Sequence, residues 1–266
     1  MRMIFNSIRF VLIFAVIITY LLNMALYMLF IRQRWRRVAL VNVTLSRYCQ
    51  FTLWLLRVRV NAIHSSARLE TNALYVSNHL SYLDVLVICS EVPCSFVTST
   101  EVRDSPGLGW ICRSSGCVFV DRRNKRNIHG EVAELSDGLR SGINIGIFPE
   151  ATSTNGEQIM RFRRPLFTAA IDAGKPVVPL CLNYTRVGGD FINRQTRDTV
   201  FWYGDMDFLP HLWSMVRNGG TEVDLHILPA LPTQPADEAM DLALRSQTLV
   251  ESVFQPVERQ AEPVKP

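Results

Sequence analysis

The sequence predicts an α/β fold, a largely parallel sheet flanked by helices, carried behind an N-terminal membrane helix or helical hairpin. Three observations predict it. The stretch from Phe10 to Ile31 runs without a charge. From about Ala73 onward, short apolar runs alternate with segments whose apolar residues recur at helical spacing. Polar runs follow several of the strand-like segments, where open α/β sheets build their sites.

The N-terminal stretch comes first. As a helix, Phe10 to Ile31 would be ~33 Å long, against a hydrocarbon core of ~30 Å. Met24-Ala25-Leu26-Tyr27-Met28 leads straight into arginines, so no small-residue cleavage site follows and removal as a signal peptide is not expected. Arg32, Arg34, Arg36 and Arg37 follow the stretch, against Arg2 and Arg9 before it, which places the C-terminal side in the cytoplasm. Val38 to Leu56 is a second, less apolar helical candidate, so a helix that enters one leaflet and returns is the alternative to a span. Residues 1–57 are thus expected to form the anchor, 58–254 the α/β domain, and 255–266 a disordered polar tail.

Within the domain, Ala73 to Val76 reads as a buried strand, followed by a helix from Tyr82 to Cys89. Ser95 to Val97 and Cys117 to Val120 are further strands. Ile128, Val132, Leu135 and Leu139 fall on one face of a helix that Gly142 closes. Ile143 to Phe148 is the next strand. Pro165 opens a helix reaching Ala173, and Val177 to Leu182 follows as a strand. Val200 to Tyr203 and Val223 to Leu228 are expected as strands, and Asp237 to Phe254 as the last helix.

Composition narrows the class. A chain of 266 residues with 48% hydrophobic and 20% charged residues fits an apolar segment added to one globular domain. The net charge of +4 is mild, and the cations cluster at 32–37, 122–126 and 161–164. On charge alone such clusters suit nucleic acid, anionic lipid or coenzyme phosphates equally, or are plain solvated surface. The six cysteines include no C-x-x-C pair and no zinc spacing, and read as reduced structural thiols of a cytoplasmic domain.

The most informative run is Ser77-Asn78-His79-Leu80-Ser81-Tyr82-Leu83-Asp84. Five residues apart on one helix, His79 and Asp84 would point roughly 140° apart. Ser81 with Asp84 forms a capping pattern that starts the helix at Ser81, leaving His79 before it and free to fold back onto the carboxylate. A histidine so held has one nitrogen fixed as donor and the other open to a substrate proton. The alternative makes Asp84 a capping residue and His79 a loop histidine. Phe148 to Gly156 and Gly116 to Arg122 each place polar groups after a strand, and Val178-Pro179-Leu180 lies in a third.

These four segments, in this order, resemble the glycerophospholipid acyltransferase family, whose best-known member is 1-acyl-glycerol-3-phosphate acyltransferase. Its N-H-x4-D block is met by Asn78, His79 and Asp84, and its G-x-x-F-[IV]-x-R block by Gly116, Phe119, Val120 and Arg122. F-P-E-G-T-R-S is met at Phe148, Pro149, Glu150 and Thr152, and V-P-[VL] at Val178, Pro179 and Leu180. The resemblance implies the glycerolipid acyltransferase fold and an O-acyltransferase that moves a fatty acyl chain from acyl-CoA or acyl carrier protein to the hydroxyl of a lysolipid. His79 would be the general base and Asp84 its orienting partner. Asn78, Arg122, Glu150, Thr152 and Ser153 would bind substrate. No metal or organic cofactor is implied, since the thioester carries the activation. The implied partners are membrane lipids, the lysolipid and the thioester donor, with no nucleic acid, at the cytoplasmic face of a bacterial inner membrane.

Two departures bear on the acceptor. Ala151 and Ser153 stand where the family usually has glycine and arginine, and Ser99 where many members have lysine. That arginine is associated with an acceptor phosphate. The Thr-Ser-Thr-Asn-Gly continuation is closer to relatives acting on lyso-ornithine lipid or lysophosphatidylcholine. A lipid esterase or thioesterase is the nearest rival class, though no G-x-S-x-G elbow is present. A non-catalytic membrane lipid-binding module is the other.

Overall fold

In the computed structural model, which describes residues 2–65, 69–105, 108–121 and 128–260, the apolar N-terminus is one long helix. This helix, α1 (Arg2–Phe30), turns at Ile31 to Gln33 into α2 (Arg34–Leu56). Tyr27 hydrogen-bonds Thr44 at 3.0 Å, and farther along Asn23 Nδ2 donates to the Tyr48 hydroxyl at 2.5 Å, so the two helices run antiparallel as a hairpin. Residues Met3–Phe30 are long and apolar enough to cross a membrane. The helix nevertheless lies against the domain: Ile13, Tyr20 and Met24 share one face and are buried, while Val11, Ile18, Leu22 and Leu29 stay exposed.

The domain alternates as expected. Strand β1 (Val58–His64) is followed by β2 (Leu74–Ser77), α3 (Leu83–Glu91) and β3 (Ser95–Ser99). Two short helices, α4 (Thr100–Asp104) and α5 (Leu108–Ser114), lead to β4 (Val118–Val120). Then come α6 (Ile128–Arg140), β5 (Ile145–Ile147), a 3-10 turn at Pro165–Phe167, and α7 (Thr168–Ala173). The second half holds β6 (Val177–Val187), β7 (Asp190–Phe191), α8 (Phe208–Arg217), β8 (Thr221–Ile227), α9 (Ala239–Val253) and α10 (Val257–Gln260).

The strands lie in the order β1-β8-β6-β2-β5-β3-β4, with β7 paired to β6. All pairings along that path are parallel except β6 with β8. One face packs against α1, α2, α3 and α8, burying Leu53, Leu83, Val87 and Met215. The other packs against α6, α7 and α9, burying Leu135, Leu139, Ala170 and Leu242. Strands β2 and β5 are neighbours, so the segments after Ser77 and after Ile147 emerge side by side. This adjacency builds the site.

Three expectations change. Val200 to Tyr203 is not a strand: its backbone turns into the site, with the Trp202 N–H donating to the Leu80 carbonyl at 3.0 Å. Its aromatic, buried character follows instead from packing, Phe201 lying edge-on to Tyr184 at 5.4 Å. β1, α4, α5, α8 and the short β7 are present where no element was predicted. The tail does not start as disorder, because the Val257 side chain is buried and its N–H bonds to the Gly156 carbonyl at 3.1 Å.

Candidate active site

Asp84 lies in the first turn of α3 and is fully buried. Its Oδ2 accepts from the Leu80 N–H at 2.6 Å and the Ser81 N–H at 2.9 Å, which gives the helix-start half of the capping pattern. Its Oδ1 accepts from the Tyr184 hydroxyl at 2.7 Å. These bonds hold the carboxylate where His79 Nδ1 reaches Oδ2 at 2.8 Å. His79 does precede the helix and fold back. Facing a carboxylate, Nδ1 is the donor and Nε2 is left as the acceptor.

The ring is held on its other side by stacking. The His79 and Phe148 rings lie 3.9 Å apart and nearly parallel, at 12°. The loop after β5 grips the His79 backbone as well. Glu150 Oε1 accepts from the His79 N–H at 2.8 Å, and the Thr154 N–H donates to the His79 carbonyl at 2.9 Å. Glu150 Oε2 accepts from the Met160 N–H at 2.8 Å. Burial pushes the Glu150 carboxyl up to about 7, against the opposing pull of the two N–H bonds.

His79 lines a cavity of about 1190 Å³. Most of its wall is apolar, supplied by Ile13 and Ile17 of α1, Leu45 of α2, Leu86 of α3, Phe96 of β3 and Leu212 of α8. Polar and charged residues complete the lining, Asp121, His129, Arg163, Arg164, Asp172 and Glu238 among them. Phe148 and Pro149 lie in the wall with His79, and the Pro149 carbonyl holds the Arg163 N–H at 2.9 Å. An apolar space with a few placed polar groups, opening beside a held histidine, suits an acyl chain and a reacting hydroxyl.

Several residues expected to bind substrate have other partners. Asn78 is buried, and its amide forms a two-way bond with the Leu182 backbone, at 3.0 Å to the carbonyl and 2.8 Å from the N–H. It splices β2's exit to β6. Glu150 stands behind the wall as a backbone clamp. Thr152 is exposed and its hydroxyl donates to the Ser153 carbonyl at 3.4 Å, and neither residue forms part of the cavity wall. Arg122 lies outside the described residues. Ser99 caps α4, its hydroxyl accepting from the Val102 N–H at 3.4 Å. Tyr184, Phe148 and Thr154 were not singled out for contacts with the pair. Phe148 and Thr154 carried a signal as members of the Phe148 to Gly156 run, and Tyr184 carried none.

A largely parallel sheet with a held histidine–aspartate pair at its strand ends defines an α/β fold with an acid–base site. Comparison with known proteins then shows what the chain is similar to. Residues 57–183 match the family model described as Acyltransferase. A lyso-ornithine lipid O-acyltransferase of Rhizobium meliloti (strain 1021) is 33% identical over 177 residues, 64% of this chain and 60% of that protein. One from Pseudomonas aeruginosa is also 33% identical, over 66% of each chain. A 1-acyl-sn-glycerol-3-phosphate acyltransferase of Neisseria gonorrhoeae is 32% identical over 54% of each. The chain thus spans a little under two thirds of the length of the lyso-ornithine relatives it matches. The crystal structure of the 1-acyl-sn-glycerophosphate (LPA) acyltransferase PlsC from Thermotoga maritima superposes with a TM-score of 0.63 over 95% of both chains, at 19% identity. Over residues 57–183 the chain is similar to the Acyltransferase family, and it has the fold of that crystal structure.

Proposed function

We propose that the protein is an O-acyltransferase that moves a fatty acyl chain from a thioester donor, acyl-CoA or acyl carrier protein, to the hydroxyl of a lysolipid. The observation that carries this is the 2.8 Å bond between His79 Nδ1 and a fully buried Asp84, with the ring at the wall of a mostly apolar cavity. His79 Nε2 takes the proton of the lysolipid hydroxyl as its oxygen attacks the thioester carbonyl. The carbon–oxygen bond forms, the carbon–sulfur bond breaks, and the imidazolium returns its proton to the departing sulfur. Asp84 stabilises that imidazolium and fixes its tautomer. The thioester supplies the activation, so this route calls for no resident cofactor.

The relatives named for lyso-ornithine lipid favour that acceptor, as does Ser153 at the position where phosphate-binding members have arginine. The apolar length of α1 and the lipid nature of the proposed substrates support a location at a membrane.

His79→Ala should lower turnover by ~10² to 10⁴ in detergent-solubilised protein while the melting transition is kept. Asp84→Asn should cause a large loss too, because the amide leaves the imidazolium uncompensated. Wild-type turnover in His79→Ala would end this mechanism. Steady release of free fatty acid without acceptor would instead favour the thioesterase reading.

A further inference from the structure

The cavity lining carries charges of both signs, four of them on exposed residues at its surface. Arg163 and Arg164 come from the loop after β5, Asp172 from α7, and Glu238 from the residue that precedes α9. Among the described residues none of these four is neutralised by an ion pair. Arg194 and Arg197, by contrast, share Glu157 at 3.5 Å and 2.9 Å. Two arginines and three carboxylates, counting Asp121, in the lining of one cavity make a poor site for a phosphate monoester, whose close to two negative charges would meet carboxylates. They suit a group that is itself dipolar.

The position fits the chemistry of the acceptor. A lysolipid with its chain in the apolar part and its hydroxyl at His79 directs its head group past Phe148 and Pro149. That path ends beside Arg163, whose N–H the Pro149 carbonyl holds at 2.9 Å. Arginine presents a planar fork to a carboxylate, and a carboxylate is a simple point partner for an ammonium. We propose that these lining residues read an acceptor head group carrying a carboxylate and an ammonium together, Arg163 and Arg164 taking the carboxylate and Asp172 and Glu238 the ammonium. The assignment rests on the acyltransferase reading of His79, and it replaces the absent arginine at Ser153 with a selector of different charge pattern.

The test uses full-length protein in detergent with acyl-CoA as donor. Four acceptors are compared: lyso-ornithine lipid, its side-chain N-acetyl derivative, its carboxyl methyl ester, and monoacylglycerol. Each kcat/KM is taken as a ratio to monoacylglycerol, so that loss of folded protein cancels. Wild type should lose roughly threefold to tenfold on either modification. In D172N/E238Q the penalty for acetylation should vanish while that for esterification persists. In R163Q/R164Q the pattern should reverse. Ratios unmoved by the variants overturn the assignment, and so does a rise confined to the KM for acyl-CoA, which would give the arginines to the donor. Failure of wild type to acylate any of the four overturns the acyltransferase reading as well, so the two failures are told apart.

Discussion

Glu150 shows how a residue in a catalytic motif can serve the site without touching substrate. Its two oxygens accept from the His79 and Met160 N–H groups, tying the end of β2 to the loop after β5. Burial holds its carboxyl at about 7, above the ordinary value of 4.5, so the folded protein binds this proton more tightly than the unfolded chain. Its contribution to stability is therefore full below pH 4.5 and is lost as the pH rises through about 7. Melting temperatures of wild type and Glu150→Gln, measured across that window, should converge or cross in favour of the variant as pH increases. A difference that stays flat with pH would show that Glu150 does not titrate there. The adjacent Ala151 has φ of 61°, in the left-handed region, where the family usually has glycine. Ala151→Gly should raise stability by about 1 kcal/mol, and an unchanged or lower melting temperature would contradict this. The spacing of His79, Ser81 and Asp84 made the central pair legible, because a capping pattern is local. The partners of Asn78, Glu150 and Tyr184 were not legible. Each bonds across the sheet to a residue whose register no local pattern records.

At the scale of elements, α1 is fixed by polar side chains set in an apolar helix. Tyr20 shares a 2.6 Å hydrogen bond with Ser115 just past α5, and Asn23 and Tyr27 reach Tyr48 and Thr44 of α2. The sequence shows these as interruptions of a membrane segment. The structure places Ile13 and Ile17 of the same helix in the cavity lining, so α1 is a wall of the cavity. Removal of α1 would open the cavity and take Ile13, with Phe10, Val16 and Ile17, out of the core they pack into. Deletion of residues 2–31 should therefore depress the melting temperature and turnover in detergent, where membrane binding plays no part. A truncated protein that melts and turns over like the full chain would return α1 to the role of a tether. The helices and strands with long periodic patterns were read well, α6 and β6 among them. The stretch at 200–203 was not, since buried aromatics look alike in a strand and in a crossing loop.

For the molecule as a whole, many of the exposed apolar residues lie on the hairpin, Ile18, Leu22 and Leu29 of α1 and Phe51 and Trp54 of α2 among them. Exposed apolar side chains of this kind suit contact with a membrane. F51E/W54E should shift the protein from floating with liposomes to the soluble fraction, while turnover on detergent-dispersed lipid changes less than about twofold. Unaltered flotation would move the contact elsewhere. The arginine excess after α1 predicts a cytoplasmic domain, and a reporter fused after Pro266 that is active only in the periplasm would reverse that orientation.

The sheet order carries a further consequence, for the time course of biosynthesis. Strand β1 leaves the ribosome directly behind the hairpin, yet it sits at the end of the sheet beside β8, with Asn61 and Asp224 bonded across 163 residues of chain. At about 5 to 20 residues per second, β1 waits roughly ten to thirty seconds for its neighbour to be made. During that interval the hairpin has already emerged, and the nascent chain holds one open strand edge close to the bilayer. Ribosome-bound chains halted before Thr221 should be cut by protease near β1, and chains extended past Ile227 should resist.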